Sequence, residues 1–401
     1  MFRLHLHQQN ATTRCLPEDL LLLALRRLAS LADRVRAGAV CRSWRSAASQ
    51  LPSTRLPWVV FGDGTLFDLA SDNTPHPHYR LRLPNDCWRY SAGENMLFLV
   101  HQRDGSCSLV NALSGATTRL PELADLLRSY NVRHRKRDEL RRTPHSQDQD
   151  GPMKAIGKVV VSSASASDDP IVAVLIERDV IVSTCRPAGQ SNSCLLGVLR
   201  TYDAIDIVLF QGKIYALSKS HILETLELNN GHQGDEVKYS TELIKHPWEQ
   251  HHQDFEDVFL FPFVEMYLVE SGGKLLMVKR WVRPPCTPCA PDGRRTFRLE
   301  VWEADLSERR WKKLDGSLEG QALFVSRPCS MSLPAGHGVR QDCIYFLNRL
   351  YKWKQPEANF GDSGVYNIRD KAFTPLLQDS SLSLPWKSGR FPSWFFHFQV
   401  K

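Results

Sequence analysis

The 401-residue sequence has no run of about 18 apolar residues, which excludes a membrane-spanning helix. Met1 to Thr13 lacks the apolar core of a signal peptide, so the chain is expected to stay inside the cell, in cytoplasm or nucleus. Its ten cysteines are scattered through apolar strand-like stretches (Cys107, Cys343) or a helix (Cys41). That pattern excludes a secreted disulfide framework and is that of reduced thiols. Glycine-rich phosphate loops, nucleotide fingerprints and paired acid/base arrangements are missing, so no cofactor and no catalytic residue is expected. Surplus charge of one sign is scarce as well. The net charge is +7, and +4 of it falls between Asn131 and Arg142, on Arg133, Arg135, Lys136, Arg137, Arg141 and Arg142 against Asp138 and Glu139. The remainder is nearly balanced, which argues against a broad nucleic-acid-binding face.

What is present begins with helical signals. Leu16-Pro17-Glu18-Asp19 opens a leucine-rich run. Pro17 presets a helical φ at a first-turn position where a missing N–H costs nothing, and the two acids face the positive end of the helix dipole. Ser30-Leu31-Ala32-Asp33 resembles a capping box, so a second helix is expected there. A third is expected over Ala39 to Ala48, with Val40, Cys41 and Trp44. Leu21, Leu25, Leu28 and Leu31 form one stripe, while Leu20 and Leu23 extend apolar surface beyond it. Some thirty-five residues cannot bury two apolar faces alone, because domains below about 40 residues usually need outside help. One face packs on the rest of the chain or docks a helical partner.

Leu16-Pro17…Leu20…Leu28…Asp33-Arg34-Val35…Val40-Cys41-Arg42-Ser43-Trp44-Arg45 resembles the F-box over its core length. The resemblance implies three helices over residues 14–50 that dock on the Skp-family adaptor of a cullin–RING ubiquitin ligase. By position, Leu16, Pro17, Leu20, Leu21, Leu28, Val40, Cys41 and Trp44 supply that contact. Two positions depart from the pattern. Ala24 stands where a larger aliphatic residue is common, and Ala37-Gly38 replaces a bulkier pair, so helix two is expected to end at Gly38.

After Gln50 the helical period stops. Short β-branched and aromatic runs alternate with Gly, Asp and Asn turns. A strand–turn–strand unit recurs at Met96–Val100 with Ser108–Ala112, Lys213–Leu217 with Ile222–Leu228, Lys274–Val278 with Phe297–Trp302, and Cys343–Leu347 with Gly364–Ile368. Ile171–Ile176 with Val180–Thr184 is a more degenerate copy. Stacked copies fit a β-propeller over residues 56–401, with an irregular β-sandwich as the alternative. The fold class expected is therefore α+β and multidomain, a three-helix module followed by an all-β repeat domain. With Leu109-Val110-Asn111 before Leu120-Pro121, Val301-Trp302 before Trp311-Lys312-Lys313-Leu314, and a closing Pro392-Ser393-Trp394-Phe395-Phe396, the layout resembles plant F-box proteins carrying a KIB-type C-terminal domain. That domain is implied to bind the protein to be ubiquitinated. Two stretches look inserted. Residues 128–152 are polar and basic, expected as a mobile loop, and the proline-rich 283–295 forbids regular structure.

Four further motifs are weighed against structural explanations. Gly361-Asp362-Ser363-Gly364 matches a serine-protease nucleophile tetrapeptide, but no matching histidine motif precedes it, and a polar turn opening a strand explains it. Cys286-Thr287-Pro288-Cys289 has zinc-knuckle spacing without a second ligand pair, so exposed loop thiols are expected. His246, His251, His252, Asp254, Glu256 and Asp257 lack a metal-binding spacing, and no metal is expected. The basic run 133–142 is a solvated charge run or a localisation or phosphate-binding patch. The function expected is a non-catalytic substrate receptor of a ubiquitin ligase, without membrane or nucleic-acid partners; the alternative is a propeller scaffold with a vestigial F-box.

Overall fold

The computed structural model describes residues 16–27, 37–38, 40–50, 56–61, 64–67, 69, 79–80, 83–84, 86–112, 115–121, 123–129, 156–162, 171–176, 179–184, 196–200, 204–227, 238–244, 263–284, 295–336, 338–347, 362–376 and 392–396. Its described residues divide into a helical unit up to Gln50 and a strand unit from Leu56 onward.

In the helical unit, α1 spans Glu18–Arg27 and α2 spans Arg42–Ser49. Pro17 starts α1, its carbonyl accepting the N–H groups of Leu20 and Leu21 at 3.1 Å each. Residues 37 and 38 are helical, and the chain turns at Val40, whose N–H donates to the Ala37 carbonyl at 3.1 Å. Gly38 passes close to α2: a Cβ built on it would lie 3.5 Å from that of Ala48, ordinary contact that an alanine tolerates. The capping box at Ser30–Asp33 lies outside the described residues.

The described strands of the second unit form six sheets. Four of them are simple antiparallel meanders. They contain β4 (Cys87–Ser91) to β7 (Thr117–Arg119), β8 (Ile156–Val161) to β11 (Leu196–Arg200), β12 (Ala204–Phe210) to β15 (Lys238–Ile244), and β16 (Phe263–Ser271) to β19 (Arg310–Leu314). The fifth runs β21 (Met331–Pro334), β20 (Gln321–Val325), β22 (Cys343–Phe346), β23 (Gly364–Asn367), β24 (Phe373–Pro375), with β20 and β22 parallel. The sixth joins the two ends of the unit: β25 (Ser393–Phe395) pairs antiparallel with β1 (Trp58–Val60), followed by β2 (Thr65–Phe67) and β3 (Tyr79–Arg80).

Strands of successive sheets neighbour one another: β25 with β4, β4 with β8, β8 with β12, β12 with β16, and β16 with β21 at its sheet's edge and with β20 beside it. The indole N–H of Trp394 on β25 donates to the Val325 carbonyl on β20 at 3.0 Å, which closes the cycle. Sheets so arranged are the blades of a propeller, and six of them are present among the described residues. Apolar side chains fill each gap. Counting blades in chain order, with the β1–β3/β25 sheet as the first, Phe98, Leu109, Val174 and Ile181 pack between the second (β4–β7) and third (β8–β11) blades, and Leu268, Met277, Trp302 and Trp311 are in the layer between the fourth (β12–β15) and fifth (β16–β19). At the closing seam Phe324 stacks on Tyr345 at 4.4 Å and meets Trp394 edge-on at 5.2 Å.

Turn chemistry explains the repeat. Gln211-Gly212 joins β12 to β13 (Lys213–Ser218), with φ of 49° and 74°, and Gly272-Gly273 joins β16 to β17 (Lys274–Val282), with 57° and 77°. Two consecutive left-handed residues make the hairpin turn whose twist matches the strands, and glycine adopts it without a Cβ penalty.

A buried ion pair sits between blades. Lys158 on β8 lies 2.8 Å from Asp206 on β12, with both side chains buried. Asp206 also accepts the N–H of Leu268 on β16 at 2.6 Å, so one pair ties three blades together. Burial pushes the Asp206 carboxyl above its ordinary range, against the pull of Lys158.

Candidate functional site

The leucines of the helical unit separate into two stripes. Leu21 and Leu25 face inward, where they pack with Ala37, Ala47 and Ala48, and Leu22 and Trp44 lean against that cluster. Leu16, Leu20 and Leu23, at i, i+4 and i+7 spacing, point the other way and are 53%, 50% and 52% exposed. Val40 is 67% exposed. These are four of the six large hydrophobic side chains left exposed among the described residues; the others, Phe263 and Val264, open β16. Half-exposed leucines at this density forfeit hydrophobic energy, since covering the open half of one contributes roughly 1 kcal/mol. The side chain of Gln50 donates to Glu18, a link between the start of α1 and the end of α2 within this unit.

The structure brings Leu16, Pro17 and Leu20 together at the start of α1, all exposed, and it leaves Val40 and Cys41 exposed just before α2. Trp44 is half-buried, shared between the unit's own core and its surface. Leu21 departs from expectation: at 1% exposure it belongs to the module's core and supports the surface from beneath instead of forming it. The physical reason is phase, because Leu21 shares the face of Leu25, one turn on. Leu28 lies outside the described residues. Leu23, outside the contact set that the F-box resemblance implies, completes the exposed stripe; its spacing from Leu16 and Leu20 is the signal that finds it. Ala24 is exposed, and so departs from the pattern at the surface.

In the strand unit, the motif at Asp362-Ser363 has a structural explanation. Asp362 accepts a hydrogen bond at 2.6 Å from Arg280, which is fully buried, and bonds at 2.9 and 2.7 Å from the N–H groups of Arg295 and Thr296. Its carboxylate is committed to a cation and two amides, and Ser363 is itself buried. Neither is disposed as an orienting acid and accessible nucleophile. Of the insertions, the helical segment 123–129 runs into the first two residues of 128–152, and Leu123, Ala124 and Leu127 join the core of the second and third blades. The basic run 133–142, Cys286, Cys289 and the His246–Asp257 cluster lie outside the described residues. Cys41, Cys87, Cys107, Cys329 and Cys343 form no disulfide. Burial pushes the thiol of Cys107 up to about 12 and raises those of Cys329 and Cys343, which keeps all three protonated and unreactive.

An F-box-like helical module followed by a β-propeller is the class of protein these two units define. Comparison with known proteins agrees: an F-box-like family model matches residues 13–52, and the KIB1-4 beta-propeller model matches residues 66–367. The chain belongs to the KIB1-4 beta-propeller family, in the plant F-box form. Among its relatives in Arabidopsis thaliana, F-box protein At2g26160 is 24% identical, the match covering 84% of this chain and 96% of that protein. Putative F-box protein At3g25750 is 27% identical, over 92% of this chain and 94% of the relative. F-box protein KIB3 is 22% identical, over 83% and 70% respectively.

Proposed function

We propose that this chain is the substrate-recognition subunit of an SCF-type cullin–RING ubiquitin ligase. A Skp-family adaptor covers Leu16, Pro17, Leu20, Leu23, Val40 and Cys41 with the exposed edge of Trp44, and the propeller holds the protein to be ubiquitinated. The observation that carries this reading is the apolar stripe on α1 that the module itself does not cover. Burial of Leu21 and Leu25 gives that stripe a firm base, so its geometry is set before a partner arrives. The chain contributes proximity. Holding adaptor and target on one polypeptide raises the effective concentration of the target at the transferring subunits, which perform the chemistry. Committed polar groups around Ser363 and high thiol pKa values support a non-catalytic role.

The test is co-purification of the full chain with a Skp-family adaptor, comparing wild type with Leu16→Ser/Leu20→Ser/Val40→Ser. Wild type is expected to retain the adaptor and the triple variant to lose it, with the circular dichroism spectrum unchanged. Failure of the wild type to bind, or equal binding by the variant, refutes the proposal.

A further inference from the structure

At one end of the second blade three donor side chains converge. Cys87 opens β4, and strand register sets it directly opposite His101, the last residue of β5 (Met96–His101). The Cys87 Sγ lies 3.0 Å from Nδ1 of His101. The carboxylate of Asp86, one residue before the strand, completes a group whose donor atoms all lie within 4.8 Å of one another. Backbone bonds fix the frame: the N–H of Gln102 donates to the Asp86 carbonyl at 2.8 Å, and that of His101 to the Ser106 carbonyl at 2.9 Å. Cys87 is buried while Asp86 and His101 are partly exposed, so the group is open to solvent on the carboxylate and imidazole side.

We infer that Asp86, Cys87 and His101 form a binding site for a divalent cation of the zinc type. Sulfur, imidazole nitrogen and carboxylate oxygen together are the donors zinc takes, whereas calcium and magnesium demand oxygen alone. With Zn–S of about 2.3 Å and Zn–N of about 2.0 Å, a tetrahedral angle sets sulfur and nitrogen roughly 3.5 Å apart. The observed separation reaches that value through a small side-chain rotation. Three protein donors leave one tetrahedral position for water. On binding, the Cys87 thiol gives its proton to solvent, and thiolate and carboxylate balance the charge of the cation. The competitor is Arg103, whose Nε lies 3.2 Å from Asp86 and whose side chain is 87% exposed. A pair so exposed is screened by solvent and too weak to hold the carboxylate against a metal. Sequence spacing gives no hint of the site, because fourteen positions separate Cys87 from His101 and only strand pairing joins them.

The experiment titrates the metal-stripped full chain with cobalt(II), following the thiolate-to-cobalt charge-transfer band, and then displaces cobalt with zinc. Cys286→Ser/Cys289→Ser serves as the background, so that the other closely spaced thiols contribute nothing. In that background the band is expected to appear and to vanish on adding zinc. His101→Gln or Asp86→Asn is expected to weaken cobalt binding by about tenfold or more, and Cys87→Ser to abolish the band. Absence of the band, or a band that His101→Gln leaves unchanged, overturns the inference. If Cys87→Ser unfolds by circular dichroism, the partly exposed His101 decides alone.

Discussion

Replacing Arg280 by methionine tests whether buried charge holds the propeller together. The guanidinium on β17 donates to Thr296 Oγ1 at 2.8 Å, to Glu265 at 2.8 Å and to Asp362 at 2.6 Å, and it lies 4.8 Å above the ring of Phe346. Burial pulls its pKa down, but the carboxylates of Asp362 and Glu265 outweigh that and raise it, so it stays charged at every working pH. Methionine fills the stem and removes the charge, leaving two nearly buried carboxylates without their cation. Breaking a buried pair from one side costs about 3–5 kcal/mol. Asp362 keeps two amide donors and Glu265 keeps the Tyr267 hydroxyl at 2.7 Å, so the lower end, about 3 kcal/mol, is expected. With an m-value near 3 kcal/mol/M, the urea midpoint falls by about 1 M. Arg280→Lys restores the charge without the fork and recovers only part of the loss. Arg280→Met combined with Asp362→Asn costs less than the two singles together, because the second change removes a charge the first has stranded. A midpoint within error of wild type, or strict additivity, refutes the reasoning.

Four other outcomes follow from the structure. Leu25→Ala is expected to cost the helical unit about 2–5 kcal/mol, read as a lower melting temperature by circular dichroism; Leu20→Ala leaves melting unchanged but weakens adaptor binding by about tenfold, roughly 1.4 kcal/mol. Trp394→Ala removes a fully buried indole and its bond to the Val325 carbonyl. It is expected to cost about 3–5 kcal/mol and to speed proteolysis at the closing seam, with Trp394→Phe recovering part. Burial pulls the Lys279 ammonium from 10.5 down to about 8. Its folded pKa lies below the unfolded one, so between about pH 8 and 10.5 the unfolded chain holds a proton that the folded chain has shed, and this group's contribution to stability rises with pH across that window. Lys279→Met is expected to flatten that rise and to stabilise the protein at pH 7 in denaturant titrations.

Much of the fold is written in local patterns. Strand pairs at Met96–Val100, Lys213–Leu217, Lys274–Val278 and Cys343–Leu347 each lie within a separate blade, because alternating apolar runs and Gly-containing turns are properties of a few consecutive residues. Ile171–Ile176 with Val180–Thr184 supplies the weaker copy as β9 and β10 (Asp179–Thr184). The blade that escapes such reading is the one built from β1, β2, β3 and β25. Its strands are two or three residues long, too short for a period to show, and they come from opposite ends of the unit. The terminal Ser393-Trp394-Phe395 run is visible as a motif, but its role as a closing strand depends on pairing with Trp58–Val60.

The same distinction explains which parts of the candidate site the residues disclose. Leucine spacing on α1 reveals that two apolar stripes exist, yet which one is free depends on where Ala37, Ala47 and Ala48 pack, and that assigns Leu21 inward and Leu23 outward. Motif chemistry is ambiguous for a related reason. Gly361-Asp362-Ser363-Gly364 suggests a nucleophile only while the partners of Asp362 are unknown. Once the carboxylate holds Arg280 across 82 positions of sequence, its chemistry is spent on cohesion. Cys87 and His101 show the converse, two residues without a motif whose donors meet because β4 and β5 pair in one register and not another. Strand register therefore carries the functional information that spacing cannot. A one-residue slip between β4 and β5 would turn the two donors to opposite faces of the blade and abolish the proposed metal site while leaving every apolar run intact.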